Sequence, residues 1–200
     1  CCAILKPSPD APATAALVGR IIAEIFPQEY VTVVQGGKDE NTILLSHRFD
    51  IIFFTGSTRV GRVVMEAAAK HLTPVVLELG GKSPCIVDKD ADLKRAAARI
   101  AWGKALNAGQ TCIAPDYLMV HRSVKDRLVE GLAENLRKMY GDDIAASPYY
   151  PRMVTRDAAE RVAGLMKAGR VILGGAVDLE RKYIEPTVIE GVSPDDDVMQ

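Results

Sequence analysis

The chain reads as an α/β fold built on parallel strands, and three observations predict it. Short runs of β-branched and aromatic residues alternate with longer stretches whose apolar residues recur at helical spacing, the pattern of strands joined by covering helices. Glycines fall where strands give way to helices, notably Gly36-Gly37, Gly56 and Gly80-Gly81. Composition agrees, since 48% hydrophobic and 26% charged residues over 200 positions supply a proper core and leave no disordered tract.

The elements follow in order. Ala3-Ile-Leu5 reads as a short buried strand, and Pro12 opens a helix whose Leu17, Val18, Ile21, Ile22 and Ile25 share one face. Val31 to Val34 is the next strand, broken by Gly36-Gly37 and followed by a short helix around Asn41 to Ser46. Ile51 to Phe54 is a third strand running into Thr55-Gly56. The helix from Ser57 to Leu72 carries Val60, Val63, Val64, Ala67 and Ala68 at helical spacing, and Val75 to Leu79 makes a fourth strand. The double glycine at 80 and 81 marks a boundary, giving a first domain over 1–79 and a second over 80–200.

Beyond it the alternation restarts with a strand at Cys85 to Val87, a helix carrying Leu93, Ala96, Ala97, Ile100 and Ala101, a loop with Cys112, and a strand at Tyr117 to Val120. Ser123 and Asp126 read as a capping box for a helix with Leu128, Val129, Leu132 and Leu136, ended by Gly141. A helix near Asp157 to Lys167 and strands at Val171 to Leu173 and Tyr183 to Ile189 complete the chain.

Several function classes are disfavoured at once. Twenty-five Lys and Arg against 26 Asp and Glu give no electrostatic reason to expect nucleic acid or an anionic membrane as partner. Charges at Arg20, Glu24, Arg59, Glu78 and Lys82 cut the apolar stretches well short of the roughly 18 to 20 residues of a membrane span. Four cysteines without a disulfide-framework spacing and three histidines point to a reducing, cytoplasmic setting and to no metal site. The first residues have no initiator methionine or charged leader and the last have no cap or polar tail, so the chain is expected to be cut at both ends.

The chemistry centres on Cys112 and Glu78. A thiol attacks only as thiolate, and a free cysteine of pKa about 8.5 is a few per cent ionised at neutral pH, so a site must activate it. The polar run Asn107, Gly109, Gln110 and Thr111 forms a flexible loop that suits an exposed thiol better than a buried hydrophobe, whereas Cys85, in an apolar strand, reads as inert. Glu78 reads as a buried acid sharing a face with Val76, placed to take and return a proton at neutral pH. A cysteine-histidine hydrolase would require His121, the one histidine downstream of Cys112. Phe54-Thr-Gly56-Ser-Thr-Arg-Val-Gly61 follows a strand and opens a helix, where a phosphate meets free backbone N–H groups; with Thr58 in place of the usual middle glycine, a dinucleotide site and a plain tight turn both stay open. Lys6, at the carboxyl end of the first strand, is either a ligand for ribose or phosphate or a solvated lysine.

With these residues in view, the chain resembles the aldehyde dehydrogenase superfamily, and within it the class 3 branch acting on fatty and aromatic aldehydes. Lys6-Pro-Ser, Phe54-Thr-Gly-Ser-Thr, Lys70-His-Leu-Thr-Pro74, Leu77-Glu-Leu-Gly-Gly-Lys-Ser-Pro84, Trp102-Gly-Lys104, Gly109-Gln-Thr-Cys112-Ile-Ala-Pro-Asp-Tyr117 and Glu185-Pro-Thr187 occur in the family's order. The resemblance implies a Rossmann-like parallel sheet of an NAD(P)-binding domain over 1–79, then the first part of an α/β catalytic domain over 80–200. It implies that Cys112 forms a thiohemiacetal with the aldehyde and donates a backbone N–H to the oxyanion, that hydride passes to NAD or NADP, and that Glu78 activates the water that hydrolyses the thioester. Gly56, Ser57 and Leu79 would line the cofactor, Gly61 would permit close helix packing, and Lys6 would hold the adenosine ribose.

Pro9 stands where the family often has a glutamate that grips the 2′-hydroxyl of NAD, which implies use of either NAD or NADP. The family's second oxyanion donor and its glutamate for the nicotinamide ribose fall outside these 200 residues, so by this comparison the chain is a central fragment of a longer enzyme, a homodimer at full length. The alternative is a nucleotide-binding remnant of the same family that binds cofactor without turnover.

Overall fold

Two parallel strand pairs make up the frame of the first part of the computed structural model, which describes residues 1–200. β1 (Ala3–Leu5) pairs with β2 (Val31–Val33), and β3 (Ile52–Thr55) pairs with β4 (Val75–Glu78). Each pair is joined by a helix: α1 (Pro12–Ile25) between β1 and β2, and α3 (Thr58–Ala69) between β3 and β4, with α2 (Lys38–Leu45) linking the pairs. Parallel strands demand such crossovers, because a tight turn can only return a strand antiparallel. The chain divides into two compact units, Cys1–Leu79 and Gly80–Gln200.

Within the first unit, Gly61 sits buried on α3 because helix and strand approach closely there. A Cβ at this position would lie 2.8 Å from Leu79 Cδ2 and 3.8 Å from Leu77 Cδ1. Val64 and Ala68 share the buried face of α3 one and two turns on. Two expectations need correction here. β1 is exposed along its length rather than buried, and Leu17, Ile21 and Ile25 on the apolar face of α1 are exposed as well, only Ala15 of that helix being fully buried. A two-stranded ribbon with one covering helix has too few neighbours to bury both. α2 also begins three residues earlier than expected, where Gly37 N–H donates to the Glu40 carboxylate at 2.6 Å and closes the first turn.

The second unit opens with a third parallel pair, β5 (Ser83–Val87) and β6 (Pro115–Val120), joined by α4 (Leu93–Ala105) and a short 3₁₀ turn over Leu106–Gly109. Asp92 caps α4 by accepting from Arg95 N–H at 3.1 Å. The register of this pair slips between Ser83 and Pro84: Ser83 faces Pro115 and Pro84 faces Tyr117, so Asp116 is an extra residue on β6. Such a bulge re-aims the side chain of the residue it inserts.

α5 (Lys125–Tyr140) packs on α4, with Leu128, Leu132 and Leu136 one turn apart on its buried stripe and Gly131 so near Ala97 that a Cβ would lie 2.8 Å from the alanine methyl. It ends at Gly141, whose φ of 86° favours glycine. Its start differs from the expected capping box. Val124 occupies the cap position without a side-chain bond, and the Ser123 hydroxyl instead pairs with the His121 ring at 2.8 Å.

α6 (Arg156–Leu165) is capped by Thr155, and the remaining strands are antiparallel: β7 (Arg170–Leu173) with β10 (Val188–Glu190), and β8 (Val177–Asp178) with β9 (Tyr183–Ile184). The single strand expected over Tyr183 to Ile189 is thus two, split at Pro186, which has no N–H for a ladder. Tyr140, Tyr150 and Tyr183 stack edge to face at 5.1 and 6.0 Å and join the Leu128, Leu132 and Leu136 core, with the Arg152 guanidinium 5.0 Å from the centre of the Tyr183 ring.

Candidate functional site

The carboxyl ends of the first unit's strands gather one set of candidate residues. Lys6 leaves β1 half-buried, and its ammonium donates to the carbonyls of Pro7 at 2.9 Å and of Gly36, beyond β2, at 2.6 Å. It is therefore a bridging group and not a freely solvated one. Beside it opens a cleft of about 250 Å³ lined by Pro7, Ser8, Pro9, Pro12, Gln35 and Gly36 among others, none of its lining residues carrying a carboxylate.

At the end of β3, Gly56 N–H donates to the Glu78 carbonyl at 3.0 Å, so the turn at Gly56 lies against the end of β4. Ser57 caps α3 by accepting from Val60 N–H at 3.3 Å, at the positive end of the helix. The residues of this edge fit a dinucleotide: an open cleft, a lysine ammonium fixed beside it, and a capped helix start held close to its strands by Gly61. Leu79 enters the arrangement by packing over Gly61.

Glu78 departs from its expected burial. It shares a face with Val76 as the alternation requires, but that face is exposed. The reason is visible in the pleat: Leu77 and Leu79 point toward α3 at Gly61, which turns Val76 and Glu78 the other way.

Cys112 is exposed on a turn between Thr111 and Ala114. The loop leading to it is braced, and not flexible as its composition implied. Asn107 and Ala108 take left-handed backbone angles, φ 51° and 53°, followed by Gly109 at 76°. Two non-glycine residues in that region hold a conformation that side chains rarely adopt, and the surroundings sustain it. Gln110 does most of that: its amide donates to the Asn107 carbonyl at 2.9 Å and the Arg152 carbonyl at 3.3 Å, and accepts from Val154 N–H at 3.0 Å. On the other side, the Ser83 hydroxyl donates to the Cys112 carbonyl at 3.4 Å, and Gly81 lies so near that carbonyl that no Cβ could be placed there.

The other cysteines differ. Cys85 is half-buried in β5, where burial pushes its thiol above the usual range, as expected of an inert residue; Cys1 and Cys2 are exposed in the first unit. His121 lies beyond the far end of the six-residue β6 from Cys112, roughly 20 Å away by strand rise, so it is no base for that thiol.

Sequence reasoning gave no role to Gln110, Lys82 or Asp116. The signal for the last two was a charge inside a strand and a lysine inside a glycine turn, both of which seek partners. Lys82 meets Asp116 at 2.5 Å.

Parallel α/β units of this build, one ending in a capped strand-to-helix turn and the next carrying an exposed thiol on a braced turn, define a recognisable class of fold and site. The chain belongs to the aldehyde dehydrogenase family, whose sequence profile matches residues 1–200. It is 46% identical over 198 residues to aldehyde dehydrogenase family 3 member A2 of Mus musculus, covering 99% of this chain and 41% of that protein. It is 49% identical to the dimeric NADP-preferring aldehyde dehydrogenase of Rattus norvegicus, covering 98% and 44%. The substrate-bound AldH of Staphylococcus aureus superposes with a TM-score of 0.91 at 45% identity, covering all of this chain and 44% of that one. Solved structures that it resembles include complexes with NAD+. The chain spans about two-fifths of the length of the curated relatives it matches. No helix is long and apolar enough to cross a membrane.

Proposed function

We propose that the protein oxidises an aldehyde to a carboxylate with NAD or NADP, through a covalent intermediate on Cys112. The observation that carries this reading is the exposed Cys112 thiol on a turn whose backbone is bonded on both sides. A nucleophile held in one geometry removes much of the entropic barrier to attack.

In this reading the Cys112 thiolate adds to the aldehyde carbon, and the carbonyl oxygen becomes an oxyanion that accepts from the Cys112 backbone N–H. When bound, the nicotinamide cofactor supplies the acceptor for the hydride that must leave that carbon. Cys112 then carries a thioester. Glu78 takes a proton from water, the hydroxide adds to the thioester carbonyl, and the carbon–sulfur bond breaks to release carboxylate and restore the thiolate. Exposure of Glu78 suits a base that must exchange its proton with solvent after each cycle.

Lys6, Gly56, Ser57, Gly61 and Leu79 hold the cofactor, making 1–79 part of the NAD(P)-binding domain and 80–200 part of the catalytic domain. The cleft beside Pro9 contains no carboxylate to bond a ribose 2′-hydroxyl or to repel a 2′-phosphate, which supports use of both cofactors. A reducing, cytoplasmic setting and a homodimer belong to the same proposal; a thiol that must attack as thiolate has to stay unoxidised.

The test is kinetic and uses the full-length protein. Cys112→Ala is expected to abolish aldehyde-dependent formation of NADH and NADPH, and retained turnover would overturn the nucleophile assignment. Glu78→Gln is expected to keep a stoichiometric burst of reduced cofactor while steady turnover slows about a hundredfold, the usual order for losing a general base. Equal loss of burst and turnover would refute its role in deacylation.

A further inference from the structure

Asp116 is the inserted residue of the β5–β6 bulge, four positions after Cys112, and it faces two ammonium groups from different parts of the chain. Lys82 Nζ lies 2.5 Å from Asp116 Oδ2, and Lys104 Nζ lies 3.9 Å from Asp116 Oδ1. All three side chains are half-buried, at 24% exposure for Asp116, 33% for Lys82 and 42% for Lys104, so solvent screens them less than an open surface pair. Lys82 is further fixed by donating to the Val198 carbonyl.

The neighbours of each ammonium give the cluster its meaning. Lys82 lies between Gly81, which presses on the Cys112 carbonyl, and Ser83, which donates to it. Lys104 lies just before the left-handed run of Asn107 to Gly109, and its side-chain methylenes cover Gly109, where a Cβ would meet Lys104 Cε at 3.2 Å. Asp116 thus ties together the segment before β5, the end of α4 and the start of β6, which are the three segments that frame the cysteine turn. Lys104 is held below the usual lysine range by burial, with Asp116 opposing that shift and Lys82 adding to it, so the carboxylate is what keeps two like charges together.

We propose that Lys82, Asp116 and Lys104 form an ionic latch that fixes the backbone of the Thr111–Ala114 turn, with Asp116 acting as a positioning residue for Cys112. The proposal rests on Cys112 being the nucleophile, but its test can be read without turnover. Iodoacetamide alkylation of the full-length protein, followed peptide by peptide, reports on each thiol separately. In Asp116→Asn, Cys112 should be alkylated at least about fivefold faster than in the parent protein, because a turn no longer held in one conformation presents its thiol to a small reagent from more directions. Cys85, half-buried in the paired strand of the same unit, should keep its slow rate and so show that the unit remains folded.

Turnover should move the opposite way, with kcat falling and KM for NAD holding. Lys82→Arg, which keeps the pair, should leave both rates at the parent values, and Lys82→Met should itself speed Cys112 alkylation and lower kcat, so the test stands even if Asp116→Asn fails to fold. An unchanged Cys112 rate, or Cys112 and Cys85 accelerating together, would overturn the latch and leave the cluster an ordinary structural ion pair. If instead Cys112→Ala still turns over while the alkylation pattern is as expected, the proposed function fails and the latch stands.

Discussion

The turn at Gly56–Ser57 is held by its own helix cap and one bond to the paired strand, whereas the turn at Cys112 is held by several segments from far along the chain. Ser57 bonds to Val60, three residues on, and the helix that follows completes itself. The Cys112 turn depends on Gln110 reaching Arg152 and Val154, on Ser83 reaching the Cys112 carbonyl, and on Asp116 reaching Lys82. Arg152 is in turn seated over Tyr183 beside Tyr150, whose hydroxyl donates to the Ile184 carbonyl at 3.1 Å. One turn is a local motif that any strand and helix could carry. The other is a product of the whole second unit, and its precision is only as good as that unit's packing.

That contrast can be broken by comparing leucines. Leu128, 1% exposed in the core that contains Tyr150, should lose about 3 kcal/mol of stability as Leu128→Ala, and urea denaturation should show it. Leu17→Ala on the exposed face of α1 should cost about 1 kcal/mol, since only part of that side chain leaves water. Equal losses would mean that the second unit's core is not what distinguishes the two turns.

A finer probe is Gln110→Ala, expected to cost about 2 kcal/mol by releasing two bonds to the distant Arg152–Val154 segment, one of them half-buried, with faster hydrogen exchange at Val154 as its local sign. Ser57→Ala should cost about 1 kcal/mol, with faster exchange confined to the first turn of α3. Exchange that spread beyond α3 would contradict the local character of that turn.

The mildest probe is alkali. Burial, aided by Glu185, pushes the Tyr183 phenol up to about 12. A folded-state value above the unfolded value of about 10 means that this stabilisation is intact below pH 10 and is lost as pH rises toward 12. Unfolding midpoints measured across that window should fall, and Tyr183→Phe should flatten the fall.

The same contrast explains what the sequence revealed. Periodicity located β1 to β6 and all the helices to within a few residues, because apolar spacing is a local property and each of these elements carries it. The ending of α5 at Gly141 and the exposure of the Cys112 thiol were legible for the same reason. The burial of Glu78 was misread because alternation shows which residues share a face but not which face is covered; Leu77 and Leu79 against Gly61 decided that. Ser123 was misread as a cap because His121 competes for its hydroxyl. The roles of Gln110, Lys82 and Asp116 were hidden because each partner is distant in sequence or displaced by a register slip that no periodicity reports.

That slip has a consequence for insertions and deletions. Asp116 is a supernumerary residue in β6, so removing it is a different event from replacing it. Deletion would close the ladder into plain one-to-one pairing, with Pro115 opposite Ser83, Tyr117 opposite Pro84 and every later pair unchanged. Leu118, packed toward the Leu128 core, and Met119, 55% exposed, would keep their sides of the sheet, and Pro115, with the Cys112 turn before it, would be the part that reverses. The length of this strand is therefore specified as strictly as its residues, and a relative lacking one position here would have to rebuild the cysteine turn while keeping the core beneath the strand.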